Sequence, residues 1–300
     1  MGESLALLNA VIWALTGVVT KGVGRDVKPI HIVTTQVWVG FLFLIGIGLV
    51  TGYLDDLAEV QIRSALYLAG GALVNTAGSL VFWQAITRST VSKVYPTTQS
   101  IFISISVLAG WLFLGDSPQI GVIGGAILII GGVILLNRKP DAVVQKSANP
   151  SLASERGSRG DYIGLGLAGL TSILWAVGFL STVVGLQDTP PVLAATIRNF
   201  VPAILFIPIV FVIPSSRVSR VFKRNGTRLI LGAVLFVGSS LTFVLALDNA
   251  PPGVVVVLIN TSPMWAVVLA MVLLKERLDR YGLAGAVLSV AGIFVTLAFR

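Results

Sequence analysis

The sequence predicts an all-α membrane protein in which ten transmembrane helices form two inverted five-helix repeats. Three observations predict it. Apolar runs of bilayer-spanning length recur along the 300 residues, Lys and Arg fall almost entirely on alternate connections, and the chain matches itself at an offset near 160 residues. Composition sets the solvent: 55% of the residues are hydrophobic and 11% charged, whereas soluble domains are about 25% charged.

A helix needs about 20 mostly apolar residues to cross hydrocarbon, and it must satisfy its own backbone there. The spans run from Leu5 to Gly22, Ile30 to Val50, Ala65 to Ala85, Val91 to Leu114 and Gln119 to Leu136 in the first half. In the second half they run from Tyr162 to Leu186, Pro191 to Ile213, Arg228 to Leu247, Pro252 to Leu274 and Tyr281 to Phe299. Pro29, Pro118, Pro190 with Pro191, and Pro251 with Pro252 sit at helix starts, where a missing N–H costs nothing. The longest polar stretch, Asn137 to Asp161, divides the chain near its middle. The expected organisation is therefore a five-helix unit at 1–137, a polar linker at 138–161 and a second five-helix unit at 162–300. No basic region followed by a short apolar stretch and a cleavage site opens the chain, so the first apolar run is expected to stay in the membrane.

The net charge of +8 resides between apolar runs rather than on one polar face, which argues against a nucleic-acid partner. The odd-numbered connections and their helix ends carry Lys21, Arg25, Lys28, Arg88, Lys93, Arg138, Lys139, Lys146, Arg156, Arg159, Arg217, Arg220, Lys223, Arg224, Arg228, Lys275, Arg277 and Arg280. The opposite side carries only Arg63 and Arg300. By the positive-inside rule the odd connections and the central linker lie in the cytoplasm, with both termini outside the cell membrane.

At an offset of 162 residues Trp13 meets Trp175, Thr20 meets Thr182 and Gln36 meets Arg198. At an offset of 160, Ser79 meets Ser239, Ser100 meets Asn260, Asp116 meets Glu276, Gly125 with Ala126 meets Gly285 with Ala286, and Gly132 meets Gly292. Five helices is an odd number, so the second copy enters the membrane from the side opposite to the first. Inverted repeats of this kind recur in secondary transporters, where two near-equivalent halves alternate around a shared site. Duplication that merely enlarges a membrane bundle is the competing reading.

The stretches "VIWALTGVVTKG" in the first span and "SILWAVGFLST" in the sixth share an aromatic-then-small opening. They are followed by "VSKVYPTTQSIFISISVLAGWLFLGD", "PPGVVVVLINTSPMWAVVLAMVLLKERL" and the Gly-rich fifth and tenth spans. In this order, over nearly the whole chain, the sequence resembles the EamA-type family of the drug/metabolite transporter superfamily, ten-helix carriers built from two five-helix repeats. The resemblance implies export or uptake of amino acids, other metabolites or drugs. It also implies an acidic residue closing the fourth and ninth helices, the places of Asp116 and Glu276. The usual Gly-Glu ending is Gly115-Asp116 in one half and Lys275-Glu276 in the other.

Charge inside a membrane is costly and marks function. Arg198 is the one Lys or Arg well inside a predicted span, about two turns from the start of the seventh helix. Its planar fork suits a carboxylate or phosphate, and snorkelling or a tie to backbone carbonyls is the structural alternative. Trp13, Thr16 and Thr20, then Asn75 and Ser79, then Ser100 and Ser104 recur at helical spacing on single faces. With Gln36, Trp83, Gln99, Trp175, Ser239 and Asn260 they are candidate walls of a polar cavity for a small solute. Hydrogen bonding between helices is the competing role for each. Pro96, Pro202 and Pro263 interrupt apolar helices and are candidate hinges, or kinks that only shape packing.

All thirteen Asp and Glu fall in loops or at helix ends, so a proton carrier with a mid-membrane carboxylate is disfavoured. His31 sits at a helix end, and Trp38, Trp111 and Trp265 read as packing or lipid-facing residues. With no Cys and one His, neither a disulfide framework nor a Cys/His metal site is expected, and no cofactor is implied. The expected partners are a solute and membrane lipid; the oligomeric state is not readable. An intramembrane lipid-modifying enzyme and a non-transporting subunit are the competing functions, and no paired acids or metal-ligand spacing supports the enzyme.

Overall fold

A computed structural model describes residues 1–21, 29–89, 91–113, 115, 119–136, 150–208, 215–274 and 280–299. Its helices are α1 (Gly2–Lys21), α2 (Pro29–Thr51), α3 (Ile62–Arg88), α4 (Val91–Phe113), α5 (Ile120–Leu136), α6 (Pro150–Leu186), α7 (Pro191–Leu205), α8 (Ser215–Asn249), α9 (Pro252–Ile259), α10 (Ser262–Leu274) and α11 (Arg280–Ala298). A 3₁₀ turn at Tyr53–Glu59 follows α2. Gly52 makes that corner because it holds φ 78, a left-handed conformation that a side chain resists.

Five described helices contain stretches long and apolar enough to span a membrane: Ile30–Thr51, Ile62–Phe82, Tyr162–Leu186, Asn225–Asn249 and Arg280–Ala298. Only 28% to 39% of each such stretch is buried, so most of its apolar surface faces outward. Leu49, Val50, Phe113, Ile120 and Phe294 belong to that outer surface. Apolar exposure on this scale marks a lipid-facing surface rather than a wet one. The described elements are all helical, and the chain is a membrane protein.

Three antiparallel pairs organise the interior. In α1 and α8, Gly2 lies against Asn249 and Ala250, Asn9 against Ser239 and Trp13 against Phe236. In α3 and α6, Gly185 meets Ser64 and Leu68, Gly71 meets Gly178 and Ser181, Gly78 meets Trp175, and Gly164 meets Ser89. In α5 and α11, Gly121 donates its N–H to the Phe299 carbonyl at 3.1 Å, Gly125 faces Gly292 and Thr296, and Gly132 faces Gly285 and Ser289. A Cβ on Gly125 would stand 2.8 Å from the Gly292 carbonyl oxygen, and one on Gly132 2.7 Å from that of Gly285. Those glycines let two backbones touch, the usual device where lipid supplies no hydrophobic drive between helices. Around these pairs α4 packs on α6, α2 on α7 and α8, α3 on α7, and α9 on α1 and α4.

Several boundaries differ from the sequence reading. The polar segment at 138–161 is helical from Pro150 onward and runs continuously into α6, because nothing after Pro150 breaks the helix. The ninth span, expected as one kinked helix, is two. It breaks at Asn260 and Thr261, where the Thr261 N–H reaches back to the Leu258 carbonyl at 3.1 Å and Pro263 has no N–H to offer the Ile259 carbonyl. The seventh span turns at Phe206, whose N–H bonds to the Pro202 carbonyl at 3.0 Å.

The α5–α11 contact makes a sharp demand on size. Gly125→Ile should destabilise the fold by about 2 kcal/mol or more through overpacking. Gly169, with no atom within 4 Å of a would-be Cβ, should accept Ala without loss. Thermal stability of the two variants by fluorescence-detected size exclusion checks both.

Candidate functional site

α7 begins after Pro190 with Pro191 in its first turn and buries Leu193, Ala194, Ala195, Thr196, Asn199, Pro202 and Ala203. Arg198 projects from this buried helix. Its side chain is partly buried, its Nε and Nη1 are buried without a hydrogen-bond partner, and its guanidinium lies 4.9 Å from the centre of the Phe243 ring. A cation–π contact stabilises by about 0.5–2 kcal/mol, whereas an ion held out of water without partners costs several. The ring alone does not offset that cost. The arrangement leaves hydrogen-bond capacity of a fixed cation available to an anion.

Phe243 opens a row of rings. Phe243 lies 6.1 Å from Phe179, Phe179 6.1 Å from Phe102, Phe102 6.3 Å from Trp175, and Trp175 5.2 Å from Phe82. The row crosses α8, α6, α4 and α3. Phe102 and Phe179 are buried, while Trp175 and Phe243 keep partial exposure. At the far side the Trp175 Nε1 is buried without a partner, as are the hydroxyls of Ser100 and Thr98 on α4.

The other residues singled out from sequence divide into groups. Gln99 and Asn260 are buried, and Asn260 stands in the α9–α10 break with its Nδ2 donating to the Val256 carbonyl at 2.6 Å. Gln36, Asn75 and Ser79 are partly buried, and the Ser79 hydroxyl donates to the Asn75 carbonyl at 3.0 Å. Thr16 donates to the Ile12 carbonyl of its own helix at 2.8 Å. Ser239 accepts the Asn9 amide at 3.0 Å, a tie between α1 and α8. Trp13 is 37% exposed beside Phe236 and stands outside the row that holds its repeat counterpart Trp175. Pro202 is buried within α7 and Pro263 is buried next to the α9–α10 break. The side chains of Trp83, Pro96 and Thr20 lie outside the described residues, as do Asp116 and Glu276.

Sequence reasoning missed Asn9 and Asn199. The Asn9 Nδ2 donates to the Ser239 carbonyl at 2.6 Å and reaches Thr242 Oγ1 at 3.3 Å, and the Asn199 Nδ2 donates to the Ala195 carbonyl at 2.8 Å. An amide inside an apolar span is itself the signal that could have found them. Phe102, Phe179 and Phe243 carry no such signal, because a Phe in a membrane helix reads alike whether it faces lipid or a site.

A groove of about 470 Å³ lies apart from Arg198, between α4, α5 and the start of α9. Its apolar walls include the exposed Leu108, Trp111, Ile123 and Ile127, so it opens toward lipid. Among the described residues no group of His, Cys, Asp and Glu could hold a metal ion.

A model of the EamA-like transporter family matches residues 1–138 and 162–298. The chain belongs to this family. It is a multi-pass membrane protein. The uncharacterized transporter YvbV of Bacillus subtilis (strain 168) is 33% identical over 153 residues, 49% of this chain and 48% of that protein. The hydrogenase nickel incorporation protein HupN of Bradyrhizobium diazoefficiens is 31% identical over 145 residues, 43% of this chain and 37% of its own length. The EamA-like chain thus spans about half or less of the length of these curated relatives. A solved structure, described only as the crystal structure of a protein, shares the fold with a TM-score of 0.76 at 16% identity, covering 99% of this chain and 97% of that one.

The Asn9 amide ties α1 to α8 through three acceptors at once. Asn9→Leu should lower stability by about 1 kcal/mol, near the upper range of interhelical hydrogen bonds in membranes. Its melting temperature, measured beside that of Thr51→Ala at an exposed hydroxyl, checks the assignment.

Proposed function

We propose that this protein is a secondary carrier of a small organic anion or amino acid, working by alternating access of two inverted five-helix repeats. In this reading the repeats are residues 1–137 and 162–300, and the 138–161 linker faces the cytoplasm of a cell whose plasma membrane holds ten spans. The observation that carries the substrate class is Arg198, a partly buried cation with two buried, unpartnered donors next to an aromatic wall. A carboxylate completes it by accepting charge-assisted bonds from those donors. Asn260, Gln99, Ser100, Asn75 and Gln36 supply further polar contacts.

The helix pairs support the inverted arrangement. Exchanging the halves turns the α1–α8 pair into the α6–α3 pair and returns the α5–α11 pair to itself, as a twofold axis in the membrane plane would. The charge sorting supports the orientation. The α9–α10 break supports a moving part, because a helix interrupted near the middle of a span can bend at little cost.

Arg198→Gln keeps size and polarity while removing the charge. Losing one charged pair should reduce anion counterflow in proteoliposomes about 10- to 100-fold. Unchanged counterflow in a well-folded variant would discard Arg198 as the anchor. Pro263→Ala restores an N–H for the Ile259 carbonyl and should straighten the ninth span. Turnover should fall while ligand affinity stays within about twofold, measured by flux against equilibrium binding.

A further inference from the structure

We infer that the ligand at Arg198 is a monoanion with a planar, apolar body and no ammonium group, an aryl or arylalkyl carboxylate rather than a zwitterionic amino acid. This rests on the anchoring role proposed above for Arg198 and narrows its substrate.

The cation side of the site is plain. Arg198 Nε and Nη1 are buried and unpartnered, and each is a charged donor open to a carboxylate oxygen. A zwitterion needs a second feature, an acceptor for its ammonium a bond or two from the carboxylate. The described carboxylates whose side chains are placed are Glu3, Asp55, Asp56, Glu59, Asp188 and Asp248. Glu3 pairs with the chain's own amino terminus at 3.2 Å. The others lie in the 3₁₀ turn, in the connection before α7 and at the end of α8. None belongs to the middle of a span.

Three further acceptors on α7 and α8 are also misplaced. The Phe243 face nearest the fork is already under the guanidinium. The Arg198 carbonyl is released from helical bonding, because residue 202 is a proline without an N–H. It lies on the α7 backbone, a whole arginine side chain away from the fork. The Asn199 Oδ1 points instead at Gly40 on α2, where a Cβ would meet it at 3.0 Å. An ammonium carried in beside the carboxylate would be desolvated next to a like charge, with no described carboxylate beside it.

The body of the ligand is chosen by the rings. Phe243 and Trp175, both partly exposed, stand on either side of the buried Phe102–Phe179 pair. A planar apolar group extending from the fork along this row makes offset or edge contacts that a short aliphatic acid cannot reach.

The test uses the purified full-length chain in nanodiscs and four probes: 3-phenylpropionate, L-phenylalanine, propionate and 3-phenylpropanamide. L-phenylalanine is 3-phenylpropionate with an added ammonium, so the pair isolates that group. 3-Phenylpropionate should raise the melting temperature most, with L-phenylalanine about 100-fold weaker, since a site without the matching polar group rejects it strongly. Propionate and the uncharged amide should each bind at least about tenfold more weakly. Phe243→Leu should weaken 3-phenylpropionate more than it weakens propionate.

L-phenylalanine binding as tightly as 3-phenylpropionate, with both lost in Arg198→Gln, would overturn the exclusion of the ammonium and keep the anchor. Binding of both anions that survives Arg198→Gln would overturn the anchor itself. No binding of any probe at millimolar concentration would overturn the aryl carboxylate assignment.

Discussion

Lipid gives a peptide group nothing to bond with, and the structure of this chain follows from that constraint. Every described span is helical, and helices are brought together by backbone contact and shared hydrogen bonds instead of by expulsion of water. Gly125 against Gly292 and Gly132 against Gly285 show the first means. Asn9 on Ser239 and Ser172 on the Thr98 carbonyl show the second. The same constraint makes any released backbone group informative. The carbonyls of Arg198 and Ile259 lose their helical donors to Pro202 and Pro263, and both residues are partly buried.

The aromatic row ties this framework to function. Phe82 and Phe102 come from the first half of the chain, and Trp175, Phe179 and Phe243 from the second. A ligand held by Arg198 against these rings would touch both halves at once. Binding energy at such a place can shift the balance between two arrangements of the halves only through contacts that differ between them. The α9–α10 break lies in a span that packs on α1 and α4, where a change of bend would be felt by both halves.

Charge tells a similar story at lower resolution. Arg198 sits among apolar residues of its own helix, while the other Lys and Arg gather at the expected connections and helix ends. The lipid-facing groove beside α4 and α5 holds about 470 Å³ but lacks a charged wall. Volume alone therefore does not mark the site; unpartnered donors do.

Much of this was legible in the residues. Hydropathy located most helices to within a few positions; the exceptions are α6 and α8, which start earlier in polar sequence, α7, which ends at Leu205 where Ile213 was expected, and the ninth span, which breaks in two. Arg198 was conspicuous because a cation among apolar residues carries a large desolvation cost wherever the chain folds. The repeat paired Trp13 with Trp175, and here sequence reached its limit: one is exposed beside Phe236 and the other anchors the ring row. Identical side chains acquire different surroundings once each helix is rotated about its axis, and rotation is settled by the neighbours it meets. For the same reason Ser239 became a tie to Asn9, Phe243 became the floor beneath a guanidinium, and Asn260 came to lie in a break rather than a helix. Local chemistry along the chain determined which segments enter lipid and which residue is too costly to leave there unused; packing between helices distant in sequence decided which groups face one another, because only that packing sets the distances over which charge, ring and hydrogen bond act.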